Sequence, residues 1–199
     1  MGRETTDEIA REAARLLADG SVADVGDAIR AAVDRLGLRG SPRPGHGRVR
    51  QHLQGLELQS SGDRAYAERV RSIWRAADEL MTALETAVAD AEPRLMGRGA
   101  RGEFDGPVVL YVRIHTRRRI GEIAELLETY GYAAASFETA DTRYGRFDRL
   151  RLMEPEAEFV ITRCLPEMLC KARVDLFKRK PVAALTPAEL RDRLRQLDE

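Results

Sequence analysis

A glycine- and arginine-rich turn precedes a continuous apolar run near the middle of the chain, in the stretch RLMGRGARGEFDGPVVLYV (residues 94–112). Glycine lets a backbone approach a ligand closely, and arginine offers a planar fork of donors that matches a phosphate or a carboxylate. Phosphate binding is therefore the first chemistry that this stretch suggests. Only three of the 33 basic residues are lysines, so arginine is in excess along the whole chain. A GC-rich genome would produce the same excess without any phosphate binding.

Other catalytic patterns are absent from the sequence. The three histidines are scattered, and no HExxH, GxSxG or complete GxxxxGK[ST] motif occurs. His46 and His52 flank a helix start at a spacing that suits surface or capping roles better than metal binding. Cys164 and Cys170 have no second pair to complete a zinc site, so we interpret them as reduced core residues.

Composition bounds the class of protein. The 199 residues are 43% hydrophobic and 33% charged with a formal net charge of +0, which favours a folded chain of one or two small domains. A neutral chain lacks long-range attraction to nucleic acid or to an anionic membrane. No apolar run approaches the ~18 residues of a membrane span, and the first residues lack signal-peptide character. We expect a cytoplasmic protein without a membrane partner.

The elements that position the Gly/Arg turn divide into two halves with different hydrophobic periods. Residues 1–92 show a helical period and predict a helical segment of about four helices, in which Gly37 ends one helix and Gly62 follows another. The longest apolar stripe consists of Tyr66, Val70, Ile73, Ala77, Leu80, Met81, Leu84 and Val88. The connection at residues 91–93 is short, so the long helix can belong to both cores.

Residues 93–199 read as strands with helices between and after them. We predict a strand over 108–114, a helix capped by Thr116 that ends at Gly131, a hairpin of 132–140 with 147–153, and a strand over 158–164. Thr186, Pro187 and Glu189 form a capping-box pattern, so a final helix begins at Pro187. The fold class is therefore α+β, with a helical N-terminal half packed against a mixed β-sheet domain.

The order of these pieces resembles the small bacterial nucleotidyltransferases of the DNA polymerase beta type. RLMG stands where that family has a strand ending in Gly-Ser, VVLYV follows the place of its Asp-x-Asp, and AEFVIT matches its third carboxylate strand. DLFKRKPVAALTPAELRDRL is similar to its closing turn and helix. The resemblance covers residues 93–199 and implies a nucleotidyltransferase-like domain there.

The resemblance also implies a two-metal site, which this sequence matches poorly. Carboxylates of the family hold two Mg²⁺ ions that align the triphosphate and neutralise developing charge. Asp105 and Glu158 are the residues that match metal ligands, yet Pro107 or residues near Val109 stand where the second Asp belongs. The structural alternatives are that Asp105 belongs to a turn through its Asp-Gly pair and that Glu158 forms a salt bridge.

Basic residues near the turn are candidates for a phosphate- or nucleotide-binding face. Arg98 replaces the serine that would follow Gly97, and Arg101, Arg113, Lys178 and Lys180 extend the same set. The competing interpretation is a solvated rim of the sheet. A second basic stretch, RPGHGRVRQH, presents Arg43, Arg48 and Arg50 for nucleic acid but lacks interleaved aromatic residues.

The prediction is a nucleotidyltransferase-like protein with a degenerate active site, which lacks two-metal catalysis and retains phosphate, nucleotide or partner binding. One alternative is an active Mg²⁺-dependent nucleotidyltransferase. Another is a regulatory or nucleic-acid-binding module, for which a homodimer or a protein partner is expected and nucleic acid is the less favoured ligand.

Overall fold

The computed structural model describes residues 2–104 and 108–198, and the side chains of residues 2, 3, 57–61, 63 and 135 lie outside that description. The helices are α1 Gly2–Ala18, α2 Val25–Leu36, α3 His46–Ala87, α4 Gly97–Arg101, α5 Ile120–Glu128 and α6 Pro187–Asp198, with a 3-10 helix at Pro166–Lys171. The strands are β1 Glu92–Met96, β2 Val109–His115, β3 Ala134–Thr142, β4 Gly145–Met153, β5 Glu158–Cys164 and β6 Ala184–Leu185.

The chain divides into two compact units. Residues up to Glu68, together with Phe104, belong to the first unit, and Arg69–Glu103 with most of the later chain forms the second. The long helix α3 belongs to both, as its continuous apolar stripe allows. The domain boundary that we predict after residue 92 stays a prediction.

Helices α1, α2 and the start of α3 form the core of the first unit. The carboxylate of Asp24 accepts hydrogen bonds from the backbone of Gly26 and Asp27 and so caps α2. Gly37 ends the same helix with a left-handed φ of 69°, as predicted. Helix α3 departs from helical geometry at Gly62, so this half contains the four helical pieces that the sequence suggests. Its buried core consists of Ile9, Ala10, Ala13, Ala14, Leu16, Ala28, Ile29, Ala32, Val33, Val49 and Leu53.

The second unit is built on a six-stranded mixed sheet with the order β3-β4-β5-β2-β1-β6. Strands β2 and β5 pair in parallel, and the other pairs are antiparallel. The mixed α/β architecture is confirmed. The predicted strand over 158–164 and the hairpin turning near 143–145 are also confirmed, as is the helix that begins at Pro187.

One predicted helix boundary is wrong. Helix α5 begins at Ile120, because the Thr116 hydroxyl donates to Asp90 Oδ1 at 2.6 Å and accepts a bond from the backbone of Arg118. The side chain of Arg163 holds the carbonyls of residues 117 and 118 as well. These bonds keep the basic triplet 117–119 in the loop ahead of the helix. Among the described residues, no helix combines the length and the apolar character that a membrane crossing requires.

Candidate functional site

One face of the sheet carries polar and charged side chains on its central strands. The register places Arg113 of β2 beside Thr162 of β5, and Thr162 beside Arg149 of β4. Side chains alternate between the two faces of a strand, so these three residues share a face with Tyr111 and Glu158. We call this the cavity face. The opposite face carries the fully buried Leu110, Ile114, Leu150 and Phe159, and we call it the packed face.

A cavity of about 370 Å³ opens on the cavity face. Its lining combines strand residues with the segment that follows β5, so the sheet supplies the floor and the segment after residue 174 supplies a wall. Seven of the lining residues are apolar, aromatic or glycine, and four are polar or charged. They are Met96, Gly97, Tyr111, Val112, Arg113, Arg149, Thr162, Asp175, Leu176, Phe177 and Val182.

The buried Arg113 anchors that wall. Only 7% of this residue is exposed, and its Nη1 donates to the carbonyl oxygens of Lys171, Ala172 and Val174 at 3.1, 3.3 and 3.1 Å. Burial lowers the pKa of its guanidinium from the usual value. Since backbone carbonyls buried without donors are costly, Arg113 holds the segment 171–174 against the sheet. Its first role is therefore structural.

The hydrogen-bonding groups of Arg149 are less completely satisfied than those of Arg113. Its Nε is buried and has no hydrogen-bond partner among the described residues. Its Nη1 lies 3.6 Å from Glu138 Oε1, and its guanidinium carbon lies 5.2 Å from the centre of the Phe177 ring. A buried N–H without an acceptor costs free energy, and the guanidinium that carries it is one of the two cationic groups of the lining.

The loop that carries Phe177 is held by local backbone bonds. The Asp175 carboxylate accepts hydrogen bonds from the backbone N–H of Phe177 and of Lys178, both at 2.8 Å. The Asp175 N–H donates to the Lys180 carbonyl at 2.8 Å, and Arg179 adopts a left-handed φ of 54°. This Asx-type turn presents Phe177 at the cavity with 46% of the residue exposed.

The structure places the predicted phosphate residues in different environments. Gly97 lines the cavity with a φ of 63°, but its N–H donates to the Ala183 carbonyl at 2.8 Å and is therefore occupied. Arg101 forms two hydrogen bonds with Glu103, at 2.7 and 2.9 Å, and Arg98 lies 3.7 Å from the same carboxylate. Hydrogen bonding to Arg101 lowers the pKa of Glu103. Neither arginine lines the cavity.

The two predicted lysines lie on the exposed rim of the Phe177 loop. Lys178 and Lys180 are exposed, and their backbone groups complete the turn around Asp175. Their side chains do not line the cavity. Of the residues proposed for phosphate binding, the lining therefore includes Gly97 and Arg113, whereas Arg98, Arg101, Lys178 and Lys180 stand outside it. Phosphate binding by these residues stays a prediction.

The predicted metal ligands do not form a described site. Asp105 lies outside the described residues. Glu158 stands at the start of β5 opposite Val109, and its carboxylate pairs with Arg151, which also lies 3.2 Å from Glu138. The cavity-face positions at the start of β2 are Val109 and Tyr111, neither of which coordinates Mg²⁺. Within residues 2–104 and 108–198, no group of three or more His, Cys, Asp or Glu is placed to hold a metal. Mg²⁺ binding through Asp105 and Glu158 stays a prediction.

Sequence reasoning missed most of the cavity. Arg149 and Arg151 stand out as charges that alternate with leucines in a predicted strand, which was the available signal for a polar face. Asp175 and Phe177 carried no comparable signal, since they lie in an irregular segment whose position depends on three carbonyl contacts with Arg113.

The second basic stretch is tied to a carboxylate of the first unit. Arg48 Nε donates to Asp7 Oδ1 at 2.8 Å, and His52 Nε2 lies 2.9 Å from the same oxygen. Hydrogen bonds from His52 and Arg48 lower the pKa of Asp7 to about 2. Part of the positive charge suggested for nucleic acid is therefore compensated within the chain.

Comparison with known proteins gives no relative from which a function can be transferred: no family model matches the chain, and no curated protein matches it significantly. The resemblance to nucleotidyltransferases stays a prediction that depends on the order of the elements and on the site itself.

Proposed function

We propose that this protein is nucleotidyltransferase-like, lacks two-metal catalysis, and binds a nucleotide in the cavity on the sheet. The observation that carries this proposal is a cavity whose lining combines the guanidinium of Arg149 with two aromatic side chains. The guanidinium of Arg149 suits a phosphate oxygen, and Tyr111 and Phe177 suit a base.

The strand pairing supports the nucleotidyltransferase-like interpretation of the second unit. Strand β1 leads into the Gly97 turn, β2 is antiparallel to it, and the strand that starts at Glu158 lies parallel to β2 on the other side. This order brings the start of β2 next to the start of β5, where a two-metal enzyme of this type needs its carboxylates. Val109 and Tyr111 occupy the β2 positions, which supports the loss of metal-dependent transfer.

A titration of the full chain with ATP, in the presence and absence of Mg²⁺, tests the first half of the proposal. We expect calorimetry to detect nucleotide binding that Arg149→Gln weakens by about ten-fold, the value of one charge-assisted hydrogen bond. Arg146→Gln is the matched control, because Arg146 is an exposed arginine of the same strand that does not line the cavity. Equal binding by wild type and Arg149→Gln would remove this cavity as the site.

A transfer assay tests the second half. The purified chain is incubated with labelled ATP, Mg²⁺ and a panel of nucleotide, protein and RNA acceptors, and the incorporation of label is measured. We expect no incorporation that a chelator abolishes. Chelator-sensitive transfer by the wild type, lost in Glu158→Gln, would instead establish the active-enzyme alternative.

A further inference from the structure

We infer that the cavity selects a nucleoside monophosphate over a nucleoside triphosphate. This inference rests on the proposed nucleotide binding and specifies the ligand of the same site. It follows from the charge that the described residues leave available, from the size of the cavity and from the position of its aromatic side chains.

The cavity offers little uncompensated positive charge. Its lining contains two guanidinium groups, Arg113 and Arg149, and one carboxylate, Asp175, for a net charge of +1. One Nη of Arg113 is occupied by three backbone carbonyls, and the Asp175 carboxylate is occupied by two backbone N–H groups. Arg149 is the other cationic side chain of the lining and its candidate contact for an anionic group.

The charged side chains around the cavity add no uncompensated positive charge to it. Glu138, which lies 3.6 Å from Arg149, also pairs with Arg151 at 3.2 Å, and Arg151 in turn pairs with Glu158. The four side chains form a neutral chain of alternating charge across β3, β4 and β5. Arg94, the register neighbour of Arg113, lies 3.1 Å from Glu92. A triphosphate carries more negative charge than a monophosphate and is therefore disfavoured more strongly on these terms.

A triphosphate needs more than this arrangement supplies. Enzymes that bind triphosphates neutralise them with metal ions held by carboxylates, together with several Lys or Arg side chains. The described part of the cavity face has Val109 and Tyr111 where such carboxylates would stand, and Glu158 is engaged by Arg151. The additional phosphates would therefore lose hydration without gaining a counter-charge, which opposes their entry.

The size of the cavity and the chemistry of its lining also favour a nucleoside monophosphate. Ligand pockets commonly enclose about 300–1,000 Å³, so a cavity of about 370 Å³ lies at the small end. Tyr111 and Phe177, with 48% and 46% of each residue exposed, border it and offer faces for a base. The hydroxyl of the buried Thr162 adds a donor and acceptor in the same lining.

Competitive calorimetry on the full chain tests the inference with AMP, GMP, CMP, UMP, adenosine, inorganic phosphate, and ATP with and without Mg²⁺. We expect at least one monophosphate to bind about ten-fold or more tightly than ATP in either form, and than adenosine or phosphate alone. Binding of ATP, with or without Mg²⁺, as tight as that of every monophosphate would overturn the inference and leave nucleotide binding intact. Binding of none of these nucleotides would overturn both.

Two variants locate the selective contact. Arg149→Gln should reduce monophosphate affinity about ten-fold and leave adenosine affinity unchanged, while Phe177→Ala should weaken both ligands. Phe137→Ala is the matched control, because Phe137 is an exposed phenylalanine of the edge strand that does not line the cavity. Phe177 is half-exposed, so this variant stays informative where Arg149→Gln unfolds. Unchanged monophosphate affinity in a folded Phe177→Ala chain would contradict the assigned cavity.

Discussion

The packed face and the cavity face of the sheet bury their side chains by different means. On the packed face, Leu110, Ile114, Leu150 and Phe159 are removed from water entirely by apolar contacts. On the cavity face the same strands carry arginines and glutamates, which are satisfied by backbone carbonyls, by one another or, at Arg149 Nε, by no described group. The packed face therefore supplies stability, whereas the cavity face carries the charged side chains that suit a ligand.

Truncation of the packed face should have the largest effect. Phe159→Ala removes a fully buried ring, and we expect the free energy of unfolding to fall by about 4 kcal/mol. Val109→Ala, on the cavity face near the same end of the sheet, should cost under about 1 kcal/mol because Val109 is 36% exposed. Urea denaturation measures both. Similar losses from the two variants would show that the faces contribute equally.

Removal of Arg113 should have the next largest effect. Arg113→Met leaves three carbonyls without their donor, and we expect a loss of about 3 kcal/mol. Amide hydrogen exchange over residues 171–182 should increase at the same time, since the segment loses its anchor. Arg94→Met is the control, because the side chain of Arg94 donates to Pro93 and Glu92 of its own strand and not to the segment 171–174 among the bonds described. Unchanged exchange in a destabilised Arg113→Met chain would argue against the anchoring role.

Mild acid should lower the free energy of unfolding through His115, which lies on the cavity face. This imidazole is buried, and burial lowers its pKa below the ordinary value of 6.5. The unfolded chain therefore takes up the proton first, so the stability from neutral His115 is present above pH 6.5 and is lost as the pH falls towards the folded pKa.

We expect the free energy of unfolding to fall between pH 7.5 and pH 5.5, a range that leaves most carboxylates ionised. Urea titrations of the wild type and of His115→Phe at the two pH values give the measurement. The variant should show the smaller change. An equal change in both proteins would assign the pH dependence to other groups.

The smallest effect is expected from the chain of alternating charges. Arg151 pairs with Glu138 and Glu158, but its side chain is 35% exposed, so water and salt screen these pairs. We expect Arg151→Gln to cost about 0.5 kcal/mol and the cost to shrink further in high salt. A loss near that of Arg113→Met would mean that the cavity face depends on this network as much as on its carbonyl anchor.

The packed face could be predicted from sequence and the cavity could not, for a physical reason. The alternation of Leu150 and Leu152 with Arg149 and Arg151 predicts both a strand and the division between its faces. Burial on the packed face comes from regular elements with a clear period. The wall of the cavity instead comes from residues 171–182, an irregular segment whose backbone is placed by one arginine 58 or more residues earlier in the chain.

Local competition explains the boundary that was predicted wrongly. Thr116 has the side chain of a helix cap, but Asp90, which lies 26 residues earlier, engages its hydroxyl and the backbone N–H of Arg117. The helix starts four residues later, where Glu122 accepts the N–H of Arg119. By contrast, Thr186 and Glu189 exchange both capping-box bonds as predicted, because both partners lie within one turn.

The turn around Asp175 has a kinetic consequence. Its carboxylate fixes the backbone at Phe177 and Lys178 from within the loop, so the mouth of the cavity has its shape before a ligand arrives. A preformed entrance loses little conformational entropy on binding and requires no slow rearrangement beforehand. Association should therefore be fast and follow a single exponential, and differences in affinity among ligands should be expressed mainly as differences in residence time.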